Sequence, residues 1–565
     1  MSFDPDKKII PIGVSDFKEL FDYNYYYIDK TILIKNILDT RSKVCLITRP
    51  RRFGKTLNIS MLKYFFENTE NQNQDNSYLF KDLNIWKLGE RYTKHQGKYP
   101  VINLNFKGAK MNTWEQTYIE LITSISEEYQ RHEYLLDFIK DPRDKVLFSR
   151  IKDCEATFSD FIRSIKNLCI YLEKYWSQKP IILIDEYDVP IQNSYLCGFY
   201  SEAINFIRAL FQDALKDNNY LEFAIITGCL RISKESIFTG LNNLNIYSIL
   251  DIRYSEHFGF TQEEVDNILS YYNLEDKKQI IKDWYNGYRF GKKNIYNPWS
   301  ILKYIDQLQD DRNRDPEAYW ANTSGNDIIK KLIKTADNNI KNQIEILINS
   351  GYIIKALNSN ITYDELDENI DNIWSMLFFT GYLTFTKETR EEDDEISYFE
   401  LKIPNRELMY VYKIIIKNWL DEKIKSKDFS DLYNSLINGD EENLSDEISD
   451  LLLENISYYD SNESFYHGIL TGILSRIDKY RIYSNLETGL GRSDIILEPT
   501  KLKQPGIIIE IKTTKDIQEL ENKSQEALEQ IESKKYEIYL NKLGFDKIIK
   551  YGIAFCGKRC LVKKA

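Results

Sequence analysis

Apolar residues in the N-terminal part of the chain form short continuous runs that alternate with stretches of helical periodicity. A short apolar run bounded by polar residues predicts a buried strand, whereas apolar positions that recur at helical spacing predict a helix. Strands that alternate with helices indicate an α/β layer with a largely parallel sheet. The predicted strands are residues 43–48, 99–105, 180–184 and 221–227, and the predicted helices lie near residues 55–67, 115–138, 157–177 and 199–216.

The pattern changes at about residue 261, beyond which it is mostly helical. Residues 382–385 and 396–401 predict a hairpin between two helices, an arrangement similar to a winged helix. The loop between these strands, residues 386–395, is strongly acidic. Because acidic side chains repel DNA phosphates, we interpret this loop as a solvated surface rather than a DNA contact.

The C-terminal part returns to strand-like runs. Residues 482–515 predict three closely spaced strands, and residues 516–535 predict a helix. The acidic segment 439–450 marks a boundary or a surface helix before them. Together these patterns predict an α/β protein with three regions, at residues 1–260, 261–455 and 456–565.

The bulk composition permits several packed cores and disfavours one class of function. The chain has 565 residues, of which 42% are hydrophobic and 14% aromatic, so it is too long for a single core. The net charge of −12 argues against a protein that is constitutively coated with DNA. It does not exclude a local basic groove, because attraction to phosphate depends on the local patch.

Cysteine usage and the lack of long apolar segments bear on the compartment. The seven cysteines are scattered, which suits a reducing compartment. Only Cys556 and Cys560 are close together, and no Cys or His pair nearby would complete the four ligands of a structural zinc site. No apolar stretch is long enough to span a bilayer, and the N-terminus has no signal pattern. We therefore expect a cytoplasmic protein that does not enter the membrane.

Residues 48–56 (TRPRRFGKT) follow a predicted strand and open a predicted helix, which is the context of a phosphate-binding loop. In such a loop, backbone N–H groups and the positive end of the helix bind a polyphosphate, here ATP. Lys55 is positioned to contact the β- and γ-phosphates, and the hydroxyl of Thr56 is positioned to ligate Mg²⁺. The predicted nucleotide-binding residues of the loop are Arg52, Phe53, Gly54, Lys55 and Thr56.

The loop departs from the usual pattern G-x-x-x-x-G-K-[ST] at its first position, where Arg49 stands in place of glycine. Glycine adopts backbone angles that other residues resist, so the start of this loop must differ from the usual one. We expect binding to survive, because Gly54, Lys55 and Thr56 contact the phosphates most directly, whereas hydrolysis stays open. The alternative interpretation is a basic surface turn before a helix.

A second motif, residues 181–186 (IILIDE), predicts a buried strand that ends in two carboxylates. Charged groups at the end of an apolar strand are costly unless they bind something. In a nucleotide site Asp185 would hold Mg²⁺ and Glu186 would polarise the attacking water. The alternative is an acidic strand end that faces solvent.

A third strand ends in Thr227, which would lie between the two earlier motifs and sense the γ-phosphate. Arg231 follows shortly after it and would stabilise transition-state charge, within the chain or across a subunit interface. A structural salt bridge explains Arg231 equally well.

The C-terminal strands carry a second group of candidate residues. Side chains alternate faces along a strand, so Glu510 and Lys512 share one face, and Asp494 opens the preceding strand after a Gly-rich turn. If the two strands pair, Asp494 and Glu510 converge on Mg²⁺ or Mn²⁺. Lys512 would then orient the attacking water and stabilise negative charge, as phosphodiester cleavage requires. The alternative is an ordinary exposed Glu–Lys pair.

Four further side chains flank this group. Glu463 and His467 lie one helical turn apart on a predicted helix before it, and Gln530 and Tyr536 lie on and near the helix after it. Each could contact a metal ion or nucleic acid. A packed, hydrogen-bonded histidine explains His467 equally well.

Taken together, these motifs resemble those of AAA-ATPase-like proteins that carry a C-terminal PD-(D/E)XK nuclease-superfamily domain. The form RPRRFGK is itself typical of that family, so Arg49 is no peculiarity of this chain. The resemblance implies ATP binding by the first half of the chain and a nuclease fold at its C-terminal end. Besides the candidate sites, it rests on residues 11–17, 27–31, 184–188, 242–244, 284–288, 296–298 and 466–467.

Two functional hypotheses follow. In the first, residues 1–260 form an AAA-like P-loop domain, 261–455 a helical lid, and 456–565 a Mg²⁺-dependent nuclease domain that ATP controls and that acts on DNA. In the second, the chain is a nucleotide-dependent switch or scaffold whose nuclease-fold domain binds nucleic acid or protein without cleaving. A third hypothesis, an ATPase motor without nuclease activity, has less support, because the negative net charge and the Arg49 departure in the loop do not suit translocation on DNA. Assembly with copies of itself stays open.

Overall fold

The computed structural model divides into two compact units, which we describe separately. Unit 1 comprises Met1–Ala336 and Ser350–Val411, and unit 2 comprises Asp337–Asn349 and Tyr412–Ala565. This division is coarser than the three predicted regions, whose boundaries stay a prediction. The residues that the structure describes are 7–69, 74–231, 243–320, 338–348, 351–359, 372–390, 396–414, 428–455, 463–501 and 503–565.

Unit 1 is built on a five-stranded parallel sheet in the order β2-β3-β4-β1-β5. Its first four strands are fully or mostly buried apolar runs near the predicted positions, which confirms the predicted α/β class. The fifth strand was not predicted, because it is short, partly exposed and interrupted by a polar residue. The strands are β1 (Val44–Thr48), β2 (Val101–Asn105), β3 (Ile181–Asp185), β4 (Ala224–Gly228) and β5 (Leu244–Tyr247).

Helices connect these strands and continue through the middle of the chain. Their starts follow ordinary capping rules: Thr157 and Asp160 form a reciprocal capping box, as do Thr261 and Glu264. The α-helices of unit 1 are Phe17–Asp22, Ile32–Thr40, Lys55–Phe66, Asn84–Lys87, Glu90–Thr93, Trp114–Arg131, Leu135–Phe138, Pro142–Lys152, Phe158–Trp176, Val189–Cys197, Tyr200–Leu215, Gln262–Tyr271, Lys278–Tyr285, Pro298–Asp310 and Asn372–Phe379. Single 3₁₀ turns cover Ser77–Leu79 and Glu275–Lys277.

Two small antiparallel sheets complete unit 1. The strands β6 (Tyr288–Phe290) and β7 (Lys293–Ile295) form a hairpin. The strands β8 (Ile353–Ala356), β9 (Thr384–Arg390) and β10 (Ser397–Lys402) form a sheet in the order β8-β10-β9. The predicted hairpin is therefore present as β9 and β10, next to a third strand that was not predicted. Part of its acidic loop, residues 391–395, lies outside the described residues.

Unit 2 is a mixed five-stranded sheet whose strands lie in chain order. Only β13 and β14 are parallel, and the helix Leu520–Lys534 connects them. The three predicted strands and the predicted helix are present, whereas the last two strands were not predicted. The strands are β11 (Tyr480–Thr488), β12 (Gly491–Pro499), β13 (Gly506–Thr513), β14 (Ile548–Cys556) and β15 (Arg559–Lys564).

Both faces of this sheet are covered by apolar side chains. Ile507, Ile509 and Ile511 pack into one core, while Ile508 packs into the other, against the helix that follows β13. The acidic segment at 439–450 belongs to a helix that buries its apolar face in the first core. The remaining helices of unit 2 are Asn338–Ile348, Ser430–Asn438, Glu441–Asn455, Glu463–Leu474 and Ile538–Lys542, with a 3₁₀ turn at Ile517–Glu519.

Across the described ranges, the helices lack the combination of length and apolar character that crossing a bilayer requires.

Candidate nucleotide and nuclease sites

The phosphate loop of unit 1 connects β1 to the helix Lys55–Phe66. Gly54 precedes this helix with a φ of 82°, a left-handed conformation that favours glycine. The buried ammonium group of Lys55 donates to the backbone oxygens of Arg49 at 3.0 Å and Pro50 at 3.1 Å. The lysine therefore occupies the hollow of the loop and satisfies its hydrogen bonds there. A polyphosphate bound in this hollow would offer stronger, charged acceptors to the same group.

Asp185, at the end of β3, joins the three segments that carry the nucleotide motifs. The hydroxyl of Thr56 donates to its Oδ2 at 2.6 Å, and the hydroxyl of Thr227 donates to its Oδ1. The three residues meet because β4, which carries Thr227, lies between β1 and β3. A hydroxyl and a carboxylate at one point form the donor set that Mg²⁺ uses beside a nucleotide, so the residues present fit this ion.

The carboxylate of Glu186 lies next to this group in an unusual backbone conformation. Its φ is 53°, in the left-handed region that non-glycine residues rarely adopt. Burial raises the pKa of Glu186, whereas the charge of Lys55 lowers it. Strain and desolvation at one residue are typical of functional sites, where the surrounding structure holds them in place.

Asp188 is a site residue that the sequence interpretation missed. It is buried, and its Oδ2 accepts hydrogen bonds from the backbone N–H groups of Cys229 at 2.8 Å and Leu230 at 3.0 Å. It therefore fixes the loop after β4 to the loop after β3. The sequence signal for this residue was a third carboxylate two positions after Glu186.

Gly228 has no space for a side chain, because a Cβ there would lie 2.6 Å from the ring of Tyr187.

Arg49, which replaces the first glycine of the loop, is completely buried. Its Nη1 donates to the backbone oxygens of Thr48 at 2.7 Å and Tyr247 at 3.0 Å. Its guanidinium lies 5.3 Å from the ring centroids of both Phe258 and Phe290. Burial lowers the pKa of Arg49 to about 10. The side chain thus connects the start of the loop to β5 and β6. Its contacts fix the backbone at the position where other loops have glycine.

The rest of the loop is packed in the same way. The ring of Phe53 lies 4.9 Å from that of Tyr288, and Arg52 stacks on Trp299 at 4.3 Å. Gly259 must lack a side chain, because a Cβ there would lie 2.8 Å from Phe53. The segments 284–290 and 296–299, which sequence alone left without a role, therefore hold the phosphate loop in place.

Two arginines have different surroundings at this site. Arg51, within the loop, donates from Nη2 to Gln192 at 2.8 Å, and its charge lowers the pKa of Glu186. Arg231, the predicted transition-state cation, is half-buried. Burial lowers its pKa, and the charges of Tyr187 and Asp251 act in the opposite direction. Of the motif that follows Arg231, residues 232–235 lie outside the described residues.

The candidate nuclease site lies on β12 and β13 of unit 2. Ile495 pairs with Ile509 at the end of the register between these strands, and Asp494 and Glu510 lie just beyond that pair. The N–H of Asp494 lies 3.4 Å from Oε2 of Glu510, and Oδ2 of Asp494 accepts from the N–H of Ile511 at 2.8 Å. The ammonium group of Lys512 is 3.7 Å from Oε1 of Glu510. The structure thus brings together all three residues predicted from alternation and spacing.

The four flanking candidates also surround this pair. The amide of Gln530 donates to Oε1 of Glu510, and the hydroxyl of Tyr536 lies 3.4 Å from that amide. His467 Nε2 lies 3.0 Å from the backbone oxygen of Asp494, so this ring supports the strand. The exposed Glu463 acts on Glu510 through its charge.

Electrostatics prepares Glu510 for a cation. Burial, and secondly the charge of Asp494, raise the pKa of Glu510 to about 8. A divalent cation between the two carboxylates would relieve both effects. Over the described part of the chain, no three His, Cys, Asp or Glu side chains form a complete metal cage. Two carboxylates are nevertheless enough for Mg²⁺, which keeps several water ligands and dehydrates reluctantly.

Comparison with known proteins agrees with both units. Residues 11–238 match the family model described as a predicted AAA-ATPase, and residues 461–565 match the model of the PD-(D/E)XK nuclease superfamily. The chain carries an AAA-ATPase-like domain and a C-terminal PD-(D/E)XK nuclease-superfamily domain. This confirms the family expected from the motifs.

A curated relative extends part of this similarity without adding a function. It is an uncharacterized protein in the vnfD 5' region of Azotobacter chroococcum mcd 1, 27% identical over 319 residues. The match covers 56% of this AAA-ATPase-like chain and 54% of the relative, so the chain spans about half the length of that protein.

Replacing Arg49 with glycine, which restores the usual loop pattern, should weaken the protein. The change removes two hydrogen bonds from a buried cation and its contacts with two rings, so we expect the free energy of unfolding of unit 1 to fall by about 2–4 kcal/mol. ATP affinity should fall with it. Thermal unfolding and nucleotide titration measure both, and the exposed Arg143→Gly change is the control. Unchanged stability with tighter ATP binding would show that Arg49 is not a tether.

Divalent-metal binding to unit 2 should depend on pH through Glu510. The pKa of this carboxyl is about 8, so it is protonated at neutral pH and a metal ion must displace the proton. Apparent affinity should therefore rise about tenfold per pH unit below pH 8 and level off above it. Because the folded state holds the Glu510 proton more tightly than the unfolded state does, the metal-free protein should lose stability as pH rises through 8. Mn²⁺ titration by calorimetry without nucleotide tests this; Glu510→Gln should abolish the pH dependence, and Glu498→Gln should not.

Proposed function

We propose that this protein is an ATP-controlled, Mg²⁺-dependent nuclease that acts on DNA. The observation that carries the proposal is the meeting of Asp494 and Glu510 on neighbouring strands, where the N–H of Asp494 lies 3.4 Å from Oε2 of Glu510 and Lys512 lies 3.7 Å from the same carboxylate. Two carboxylates and an ammonium group on adjacent strands form the arrangement that metal-assisted phosphodiester hydrolysis needs. An ordinary exposed ion pair between Glu510 and Lys512 does not account for this arrangement, because the carboxylate of Glu510 is buried.

In the proposed reaction each residue has a separate task. Asp494 and Glu510 hold Mg²⁺ or Mn²⁺, which, when bound, polarises the phosphate and lowers the pKa of a water molecule. Lys512 orients that water and stabilises the charge that develops on the phosphate. Gln530 keeps the Glu510 carboxylate in its position, and His467 supports the backbone that carries Asp494. The last two are positioning residues.

ATP would bind in unit 1 through its phosphates. The backbone of residues 52–54 and the ammonium group of Lys55 hold the phosphates, and Thr56 and Asp185 hold Mg²⁺. Thr227, at the end of β4, senses the terminal phosphate. Arg231, which follows that strand, stabilises negative charge in the transition state. Glu186 is the base for hydrolysis, which binding alone does not require. Control of cleavage follows if ATP occupancy of unit 1 changes the activity of unit 2.

One observation favours a second candidate, a nucleotide-dependent switch whose nuclease-fold domain binds without cleaving. Both carboxylates of the metal-free site already accept hydrogen bonds from protein groups, Asp494 from Ile511 and Glu510 from Gln530. A domain that had lost its metal could keep its fold through these contacts. Cleavage and binding assays on the same variants separate the two functions.

The cleavage assay uses plasmid and linear DNA, and RNA of the same sequence, with Mg²⁺ or Mn²⁺. Asp494→Asn is the decisive variant, because an amide oxygen can still accept from Ile511 while the charge is lost. We expect it to reduce cleavage at least about a hundredfold. Glu498→Gln, another carboxylate on β12, is the matched control and should cleave normally. Equal cleavage by wild type and Asp494→Asn would refute the nuclease, and DNA binding without cleavage by wild type would favour the switch.

ATP control is tested with Lys55→Ala against Lys63→Ala, which changes another lysine of the same helix. We expect Lys55→Ala to lose nucleotide affinity at least about tenfold, because a charged hydrogen-bonding group is removed from the phosphates. Its cleavage rate should no longer respond to ATP, while Lys63→Ala should respond like wild type. A wild-type cleavage rate that is the same with and without ATP would remove the control and leave the nuclease.

A further inference from the structure

The hairpin between β11 and β12 ends in a two-residue turn, Gly489–Leu490. Thr488 and Gly491 are its last paired residues, and Gly489 has a φ of 60°. Glycine at the first turn position is what a tight hairpin turn requires. The second position usually holds a small or polar residue, so turn geometry does not explain the leucine. Its side chain is 69% exposed, the highest value among the exposed large apolar side chains of the described residues.

This turn is rigidly attached to the helix Leu520–Lys534. The N–H of Leu490 donates to the backbone oxygen of Lys534 at 2.7 Å, and a Cβ on Gly489 would overlap the same oxygen. The hydroxyl of Tyr536 donates to the backbone oxygen of Arg492 at 2.8 Å. The backbone under Leu490 is therefore fixed from both sides. A rigid apolar side chain binds a partner with little loss of conformational entropy.

Two exposed lysines lie beside this turn. Lys534 and Lys535 are exposed and form no ion pair with a described residue. Of the nearby acidic groups, Glu532 pairs with Lys550 at 2.7 Å, and Glu537 lies 3.6 Å from the same lysine. On the hairpin itself, Arg492 lies opposite Glu487. The two lysines beside Leu490 thus supply a local charge that suits phosphates, in a chain that is acidic as a whole.

The turn is also connected to the candidate nuclease site. Gln530 lies on the helix whose end holds Leu490, and its amide donates to Glu510. The same amide lies 3.4 Å from the hydroxyl of Tyr536, which holds the strand beside the turn. Tyr536 and Gln530 thus connect the strand beside the turn to Glu510, and this connection fixes the position of the turn relative to the candidate site.

We propose that Leu490 is a wedge that enters the minor groove of duplex DNA and partly unstacks one base step, while Lys534 and Lys535 contact the flanking phosphates. Apolar side chains at the ends of rigid elements bend DNA in this way. This inference rests on the proposed function, because it takes DNA as the substrate of the Asp494–Glu510 site. It adds a substrate preference: cleavage should favour sites near flexible pyrimidine–purine steps, which unstack most easily.

The experiment measures binding without cleavage in the full-length Asp494→Asn protein. A short duplex carries 2-aminopurine, whose fluorescence rises when it unstacks, at successive positions. Leu490→Ala should weaken binding by about tenfold, consistent with the loss of a buried leucine side chain, and should abolish the fluorescence rise. Leu490→Met should retain both. Leu543→Ala, which truncates a leucine that is 45% exposed on another loop of unit 2, should change neither.

Lys534→Ala and Lys535→Ala should each reduce the slope of log affinity against log salt by about one, as loss of one phosphate contact predicts. A Leu490→Ala protein that binds and unstacks DNA like its parent overturns the wedge and leaves the nuclease intact. Weaker binding without any fluorescence rise in the parent overturns insertion. A parent that binds no DNA instead overturns DNA as the substrate in the proposed function.

Discussion

The carboxylate of Asp185 accepts hydrogen bonds from the hydroxyl groups of Thr56 and Thr227, and the site in the AAA-ATPase-like domain is organised around this contact. A buried carboxylate must be compensated by hydrogen bonds or by a cation, because desolvation disfavours its charge. Here the compensation comes from the helix after β1 and from β4, and the two hydrogen bonds fix these segments relative to β3. The strand order makes this contact possible, since β4 lies between β3 and β1 and brings Thr227 next to that carboxylate.

The nuclease-superfamily half meets the same requirement in another way. Glu510 is buried on β13 beside Asp494, and its carboxylate accepts from the amide of Gln530 while the ammonium group of Lys512 lies 3.7 Å away. Burial, and secondly the charge of Asp494, outweigh the charge of Lys512 and raise the pKa of Glu510 to about 8. The two halves therefore differ: the Asp185 carboxylate accepts from two hydroxyl groups, whereas the Glu510 carboxyl has a raised pKa that a nearby cation would lower.

Much of this could be predicted from sequence because the decisive signals were local. Buried strands gave continuous apolar runs, and alternation along β13 placed Glu510 and Lys512 on one face. β5 and β8 were not predicted, since each is short and half-exposed and forms only by pairing with a distant strand. The long, mostly buried β14 and its partner β15 were not predicted either, although β14 carries an apolar run. The burial of Arg49 between Phe258 and Phe290 was also beyond the sequence, because the two rings lie roughly two hundred residues further along the chain. The sequence shows the carboxylate of Asp188, but not that the backbone N–H groups of Cys229 and Leu230 donate to it.

The packing of the phosphate loop has a consequence for how such proteins diverge. Arg49, Phe53 and Arg52 fill spaces lined by Phe258, Tyr288 and Trp299, so the loop and its cover are complementary in shape as well as charge. A loop of the ordinary glycine-first type, transplanted into this chain, would leave a hollow that water could not fill well among aromatic rings. The two segments must therefore be inherited together, and recombination between distant relatives that separates them would yield unstable chimaeras.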